Sequence, residues 1–158
     1  MRPPRIQSAP GMLMAGSRKV HPLDKVFEAI PAQWVAFPFL VPQIPDRLPG
    51  PQSGIICQAT PGESMEYMCA VEVKSFDNFP KGMGKLNVPP ATYAIFTHDG
   101  VAADLHQTWR AIWEEWLPKS GYNPANSPDF ERYDDTFDPK TGTGGIEIWF
   151  PIDKKGRE

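Results

Sequence analysis

Apolar residues at Leu23, Val26, Phe27, Ile30, Trp34 and Phe37 recur at steps of three and four, the spacing that lines one side of an α-helix. The pattern predicts a helix over 23–37 that stops before Pro38 and is kinked or restarted at Pro31, whose nitrogen cannot donate a hydrogen bond. Beyond His98-Asp99-Gly100, the same spacing returns at Leu105, Trp109, Ile112 and Trp116, with Asp104 at the positive end and Pro118 as a stop. A second helix is therefore predicted over 102–117. Six other stretches alternate at period two or are short and rich in β-forming residues, namely 12–20, 54–59, 65–74, 92–98, 129–134 and 146–152. These read as strands. Thr60-Pro61-Gly62-Glu63-Ser64 joins two of them as the turn of an antiparallel hairpin.

The order strand, helix, strand, strand occurs twice, and residues echo at an offset of 75: Ile30 with Leu105, Trp34 with Trp109, Phe37 with Ile112, and Val71-Glu72-Val73 with Ile146-Glu147-Ile148. The expectation is one domain over 1–158, built of pseudo-repeats at about 10–77 and 88–154, with Trp34 superposing on Trp109 and Glu72 on Glu147. Hairpins require antiparallel pairing, so an α+β fold follows: duplicated strand-helix-strand-strand units in a mixed or antiparallel sheet, with two main helices on one face. A central ligand cleft is expected where the halves meet.

A chain of 158 residues can bury a core without staples, so Cys57 and Cys69 read as ordinary half-buried thiols. Sixteen basic and nineteen acidic residues, with no basic face, leave the counterion-release term of nucleic-acid binding without a source, and direct nucleic-acid binding is not expected. The longest apolar run near the N-terminus, about 11–16, is too short for a signal peptide or membrane span, which predicts a cytoplasmic protein and no membrane partner. His21, His98 and His106 lie far apart without thiol or carboxylate companions, so neither a metal site nor a cofactor is expected.

Thr92-Tyr93-Ala94-Ile95-Phe96-Thr97-His98-Asp99-Gly100 resembles the central strand of GyrI-like effector-binding domains, the small-molecule sensors of AraC-type and multidrug-responsive regulators. Trp116-Leu117-Pro118-Lys119-Ser120-Gly121-Tyr122, Pro128-Asp129-Phe130-Glu131-Arg132-Tyr133 and Gly145-Ile146-Glu147-Ile148-Trp149-Phe150-Pro151-Ile152 resemble its helix exit and last two strands, in the same order. The first half matches less sharply, at Tyr67, Ala70-Val71-Glu72-Val73 and Pro80-Lys81-Gly82, and departs in the loop 38–51 with its five prolines. The resemblance implies a curved antiparallel sheet around one ligand cleft, in a stand-alone form. It also implies that an acidic residue of the last strand meets lipophilic cations in that cleft.

Glu147 and Trp149 share one face of that strand, while Ile146, Ile148, Phe150 and Ile152 share the other. Glu147 is thus the expected anchor for a hydrophobic cation, the alternative being a carboxylate on the solvent face of the sheet. Tyr67, Tyr93, Tyr133, Trp113 and Trp149 supply aromatic surface for a flat or cationic ligand, whereas Trp109 and Trp116 sit in the main helical stripe and read as core. Glu131 and Tyr133 share a strand face, a carboxylate beside a phenol. The expected function is binding of small lipophilic, cationic or aromatic molecules by a stand-alone sensor or sequestering protein, with no catalytic residue assigned. Two alternatives stay open: a hydrolase of reactive electrophiles using a cleft Glu and Tyr, and a protein-interaction modulator of the gyrase-inhibitor type with an unknown protein partner.

Overall fold

The computed structural model describes residues 1–154. All six predicted strands and both helices are present, and three short strands join them. In chain order the elements are β1 (Arg5–Ala9), β2 (Met12–Pro22), α1 (Val26–Leu40), β3 (Gln52–Thr60), β4 (Ser64–Val73), β5 (Gly84–Val88), β6 (Ala91–Thr97), α2 (Leu105–Ala111), α3 (Leu117–Ser120), β7 (Tyr122–Pro124), β8 (Asp129–Tyr133) and β9 (Ile146–Lys154).

Every strand pairing is antiparallel, in the order β1-β6-β9-β8-β3-β4-β2-β5, with β7 beside β9. This order forces the sheet to curl. β1 is joined to β2 by Pro10 and Gly11 alone, yet six strand spacings of ~4.8 Å would separate them by roughly 29 Å in a flat sheet, while two linking residues reach only ~11 Å. Pro89 and Pro90 impose the same constraint between β5 and β6. The curl buries both faces: Met12, Met14, Ile55, Met68, Tyr93, Ile95, Phe130 and Trp149 cluster on the face without helices. On the other face α1 covers Ala15, Tyr67, Cys69, Val71 and Val73, and α2 covers Ala94, Phe96, Ile148 and Phe150.

α1 runs through both prolines and overruns the predicted stop by reaching Leu40. A proline removes one helical donor, and here the last carbonyls find side-chain partners: Gln43 donates to the Phe39 carbonyl at 3.1 Å, and Arg47 donates to that of Val41. The second helix is not the single rod predicted. α2 gives way to a π-turn at Ile112–Trp116, and α3 resumes across Pro118 and ends at Gly121, whose φ of 78° suits a glycine.

Ile55 faces Phe130 at the centre of the β3–β8 ladder, and the flanking pairs Gly54–Glu131 and Ile56–Asp129 exchange under the 75-residue offset. Trp34 and Trp109, likewise 75 apart, converge on that seam. Further out the offset fails: Met68 lies opposite Ile55 and Trp149 opposite Phe130, an offset of 81 from 68 to 149. Glu66, not Glu72, therefore holds the place of Glu147, which corrects the expected superposition. The cause is unequal hairpins, since residues 61–63 join β3 to β4 whereas residues 134–145 join β8 to β9. The proline-rich loop 38–51 keeps clear of the seam; it buries Ile44 under α1 and pairs Arg47 with Val73.

Candidate functional site

Alternation along β8 sends Asp129, Glu131 and Tyr133 to the helix-covered face and Phe130 and Arg132 to the other. Glu131 thereby arrives at the seam between the two helix-covered cores. Its Oε1 accepts hydrogen bonds from the Tyr133 hydroxyl at 2.8 Å and the Tyr67 hydroxyl at 3.4 Å, and its Oε2 accepts from Trp109 Nε1 at 2.9 Å. Tyr67 in turn accepts from Trp34 Nε1 at 3.0 Å. Both tryptophans of the helical echo thus feed one carboxylate, directly or through a phenol. Gly54, opposite Glu131, makes this possible: a Cβ there would overlap the Tyr67 hydroxyl and lie 2.8 Å from Tyr67 Cζ and 3.2 Å from Trp34 Cζ2.

Burial pushes the Glu131 carboxyl above its ordinary range, against the pull of the Trp109, Tyr133 and Tyr67 hydrogen bonds. Burial, reinforced by the Glu131 charge, pushes Tyr67 and Tyr133 far up, so both phenols remain protonated donors at neutral pH. Asp129, one strand repeat away on the same face, is pushed up to about 6 by burial and then by Glu131. None of the ion pairs among the described residues includes Glu131 or Asp129. The seam therefore carries a Glu131 carboxylate held by neutral donors, with no ion pair to it among the described residues. Its walls are aromatic: Trp34 meets Tyr133 at 5.2 Å between centroids, and Phe137 closes on Tyr133 at 4.9 Å.

Of the candidates read from the sequence, Glu131, Tyr67 and Tyr133 come together here. Glu147, Trp149 and Tyr93 do not, so the carboxylate at the seam is Glu131 and not the Glu147 expected from the sequence. They lie on the helix-free face, where Glu147 is already ion-paired with Arg5 at 2.9 Å and accepts from Trp149 Nε1 at 3.1 Å. Tyr93 is fully buried there against Phe130 and Trp149. Trp113 lies on the outer rim, 46% exposed, edge-on to Phe150. Trp34, Trp109 and Asp129 were not among the candidates, although the helical echo and the period-two step from Glu131 were signals for them.

His98 is structural: its Nε2 donates to the Val101 carbonyl at 2.7 Å and its Nδ1 accepts from Thr108 at 2.7 Å, pinning the end of β6 to α2. Both cysteines are free, and burial pushes Cys57 to about 11 and Cys69 to about 12. Among the described residues no group of three metal-ligating side chains is found, and no helix is long and apolar enough to cross a membrane. Two open depressions, of about 400 Å³ beside Arg18 and Lys81 and about 570 Å³ beside Pro89 and Ser127, lie away from Glu131. Neither gathers a comparable polar constellation, and the aromatic seam is the stronger candidate because its donors converge on one half-buried carboxylate.

Known proteins share this arrangement of elements. The chain is 33% identical over 98 residues to the transcriptional regulator BrlR of Pseudomonas aeruginosa and 32% identical over 103 residues to a DNA gyrase inhibitor of Erwinia billingiae. Each match takes in 61% of this chain; it spans only 36% of the first relative and 64% of the second. Among solved structures, SAV2435 bound to tetraphenylphosphonium superposes with a TM-score of 0.75 at 18% identity, over 95% of this chain and 93% of that one. A putative transcription regulation protein of Staphylococcus aureus superposes at 0.70 with 19% identity, over 97% and 98%. At such identities these structures show the fold. The sequence pattern of the GyrI-like small molecule binding domain matches residues 2–153, and with the curled antiparallel sheet and its helix-flanked seam this places the chain in the GyrI-like family.

Proposed function

We propose that the seam at Glu131 receives a lipophilic aromatic cation, and that the chain acts as a sensor or sequestering domain for such molecules. The observation that carries this is the Glu131 carboxylate, half-buried among aromatic rings, satisfied by three neutral donors and in no ion pair among the described residues. A delocalised cation can enter such a site with little loss of hydration, supply the missing charge and lie against the rings. Trp34 packs edge to face on Tyr133 and Phe137 lies tilted against Tyr133, so entry requires these rings to swing aside. The fold shared with a protein solved with tetraphenylphosphonium supports the same ligand class.

Calorimetric titration with tetraphenylphosphonium and with neutral triphenylphosphine oxide tests the reading. Glu131→Gln should weaken the cation by about 1.5–3 kcal/mol, the value of a charged contact in a partly desolvated site, and the neutral compound much less. Equal cation affinities for wild type and variant would refute it. The 2.8 Å contact between Glu131 and the Tyr133 phenol keeps a hydrolytic reading in view. Turnover of a strained electrophile, abolished in Glu131→Gln, would favour that reading over binding alone.

A further inference from the structure

The sheet face away from the helices holds a guanidinium without a hydrogen-bond or ion-pair partner among the described residues. Arg132 lies over the Trp149 ring, 4.7 Å from its centroid, with its Nε–H buried and without a hydrogen-bond partner. None of the ion pairs among the described residues includes it. Ser53, directly opposite Arg132 in the β3–β8 ladder, is fully buried with its hydroxyl unbonded. Tyr93, fully buried on the same face, packs on Trp149 at 5.1 Å and Phe130 at 5.5 Å, and its hydroxyl is unbonded too. Of the four buried side-chain polar atoms without a partner among the described residues, three therefore surround one aromatic stack, Trp149 on Phe130.

Buried donors are almost always satisfied, so the buried, unbonded Nε–H of a half-buried guanidinium beside two buried, unbonded hydroxyls calls for an occupant. We infer that Arg132, Ser53 and Tyr93 form an oxyanion-binding site that takes a small carboxylate or phosphate ester, its oxygens on the guanidinium and, once the Tyr93 and Trp149 rings shift, on the buried hydroxyls. All three groups donate, and the planar guanidinium suits two oxygens at once. The carboxylates that act on Arg132 are Glu72 and Glu147, both too distant to pair with it. Glu147 is neutralised by Arg5, so only Glu72 opposes an incoming anion and the binding is of modest affinity.

This site is independent of the Glu131 seam, and the test keeps them apart. The 15N–1H resonance of Arg132 Nε is followed while benzoate, phenyl phosphate and neutral benzamide are titrated in, with tetraphenylphosphonium titrated separately. Saturable shifts with benzoate or phenyl phosphate and none with benzamide are expected, the stronger of the two identifying carboxylate or phosphate as the natural group. Arg132→Met, which keeps the stem on Trp149, should weaken the oxyanion by about tenfold or more, read in this and the other Arg132 variant from the Trp149 indole N–H resonance. Arg132→Lys, which keeps the charge but not the fork, serves if Arg132→Met fails to fold, and should also weaken it. Ser53→Ala should cost about threefold. Tetraphenylphosphonium binding, or its absence, should be the same in all variants. An Arg132 resonance that responds to no oxyanion, or one that shifts only in Glu72→Gln, would show that water bridged to Glu72 occupies the donors, and the proposal would fall.

Discussion

Gly54→Ala adds a single methyl group at the tightest point of the seam. The new Cβ overlaps the Tyr67 hydroxyl and lies 2.8 Å from its Cζ, so the Tyr67 ring must shift; Trp34 Cζ2, at 3.2 Å, must give slightly. Moving Tyr67, which is 3% exposed, breaks the Trp34-to-Tyr67 and Tyr67-to-Glu131 hydrogen bonds and leaves a hydroxyl unsatisfied. Those losses amount to about 3–4 kcal/mol, and the better strand propensity of alanine returns about 0.5–1. The net cost is about 3 kcal/mol, which lowers the melting temperature of a domain of this size by roughly 6–12 °C. Differential scanning calorimetry measures it. Because the clash is worst at the hydroxyl, Gly54→Ala should cost clearly less in a Tyr67→Phe background, a non-additivity expected only of groups in contact. A Gly54→Ala protein as stable as wild type, or full additivity with Tyr67→Phe, would refute the packing argument.

Asp129, pushed up to about 6 from 3.8, binds its proton more tightly folded than unfolded, so folding is favoured below pH 4 and that advantage is lost as pH rises through about 6. Asp129→Asn should therefore stabilise the protein at pH 8 by about 2–3 kcal/mol and have little effect at pH 4, read from urea denaturation at both values; equal effects at the two pH values would count against a buried carboxylate. Glu147→Gln should leave tetraphenylphosphonium affinity unchanged in calorimetric titration and cost under about 1 kcal/mol in stability, since it removes a half-exposed ion pair with Arg5; a loss of cation affinity would return the anchor to the last strand.

What the sequence made legible depended on local period. The stripe Leu105, Trp109, Ile112 and Trp116 places α2 on the core, and alternation alone puts Glu131 with Tyr133 and Glu147 with Trp149. Alternation cannot say which face meets the helices. Glu147 seemed the better anchor because its neighbours are apolar, but the curl of the sheet buries both faces, and Ile146, Ile148 and Phe150 pack under α2 while Trp149 packs on Phe130. β1 and β5 escaped notice because they are short and mostly polar, and their partners lie far along the chain: Arg5 pairs opposite Ile95 and Leu13 opposite Asn87. Trp109 lies on the core stripe as expected, yet its indole N–H is what reaches Glu131, a role that spacing cannot separate from packing.

The central claim, that Glu131 and not Glu147 meets the ligand, is tested most directly by a crystal structure of the protein soaked with tetraphenylphosphonium. The phosphonium should lie between α1 and α2, with Trp34, Trp109 and Tyr133 around it and the Glu131 carboxylate as its nearest charge. Density on the helix-free face, beside Glu147 and Trp149, with the Glu131 hydrogen bonds undisturbed, would contradict it.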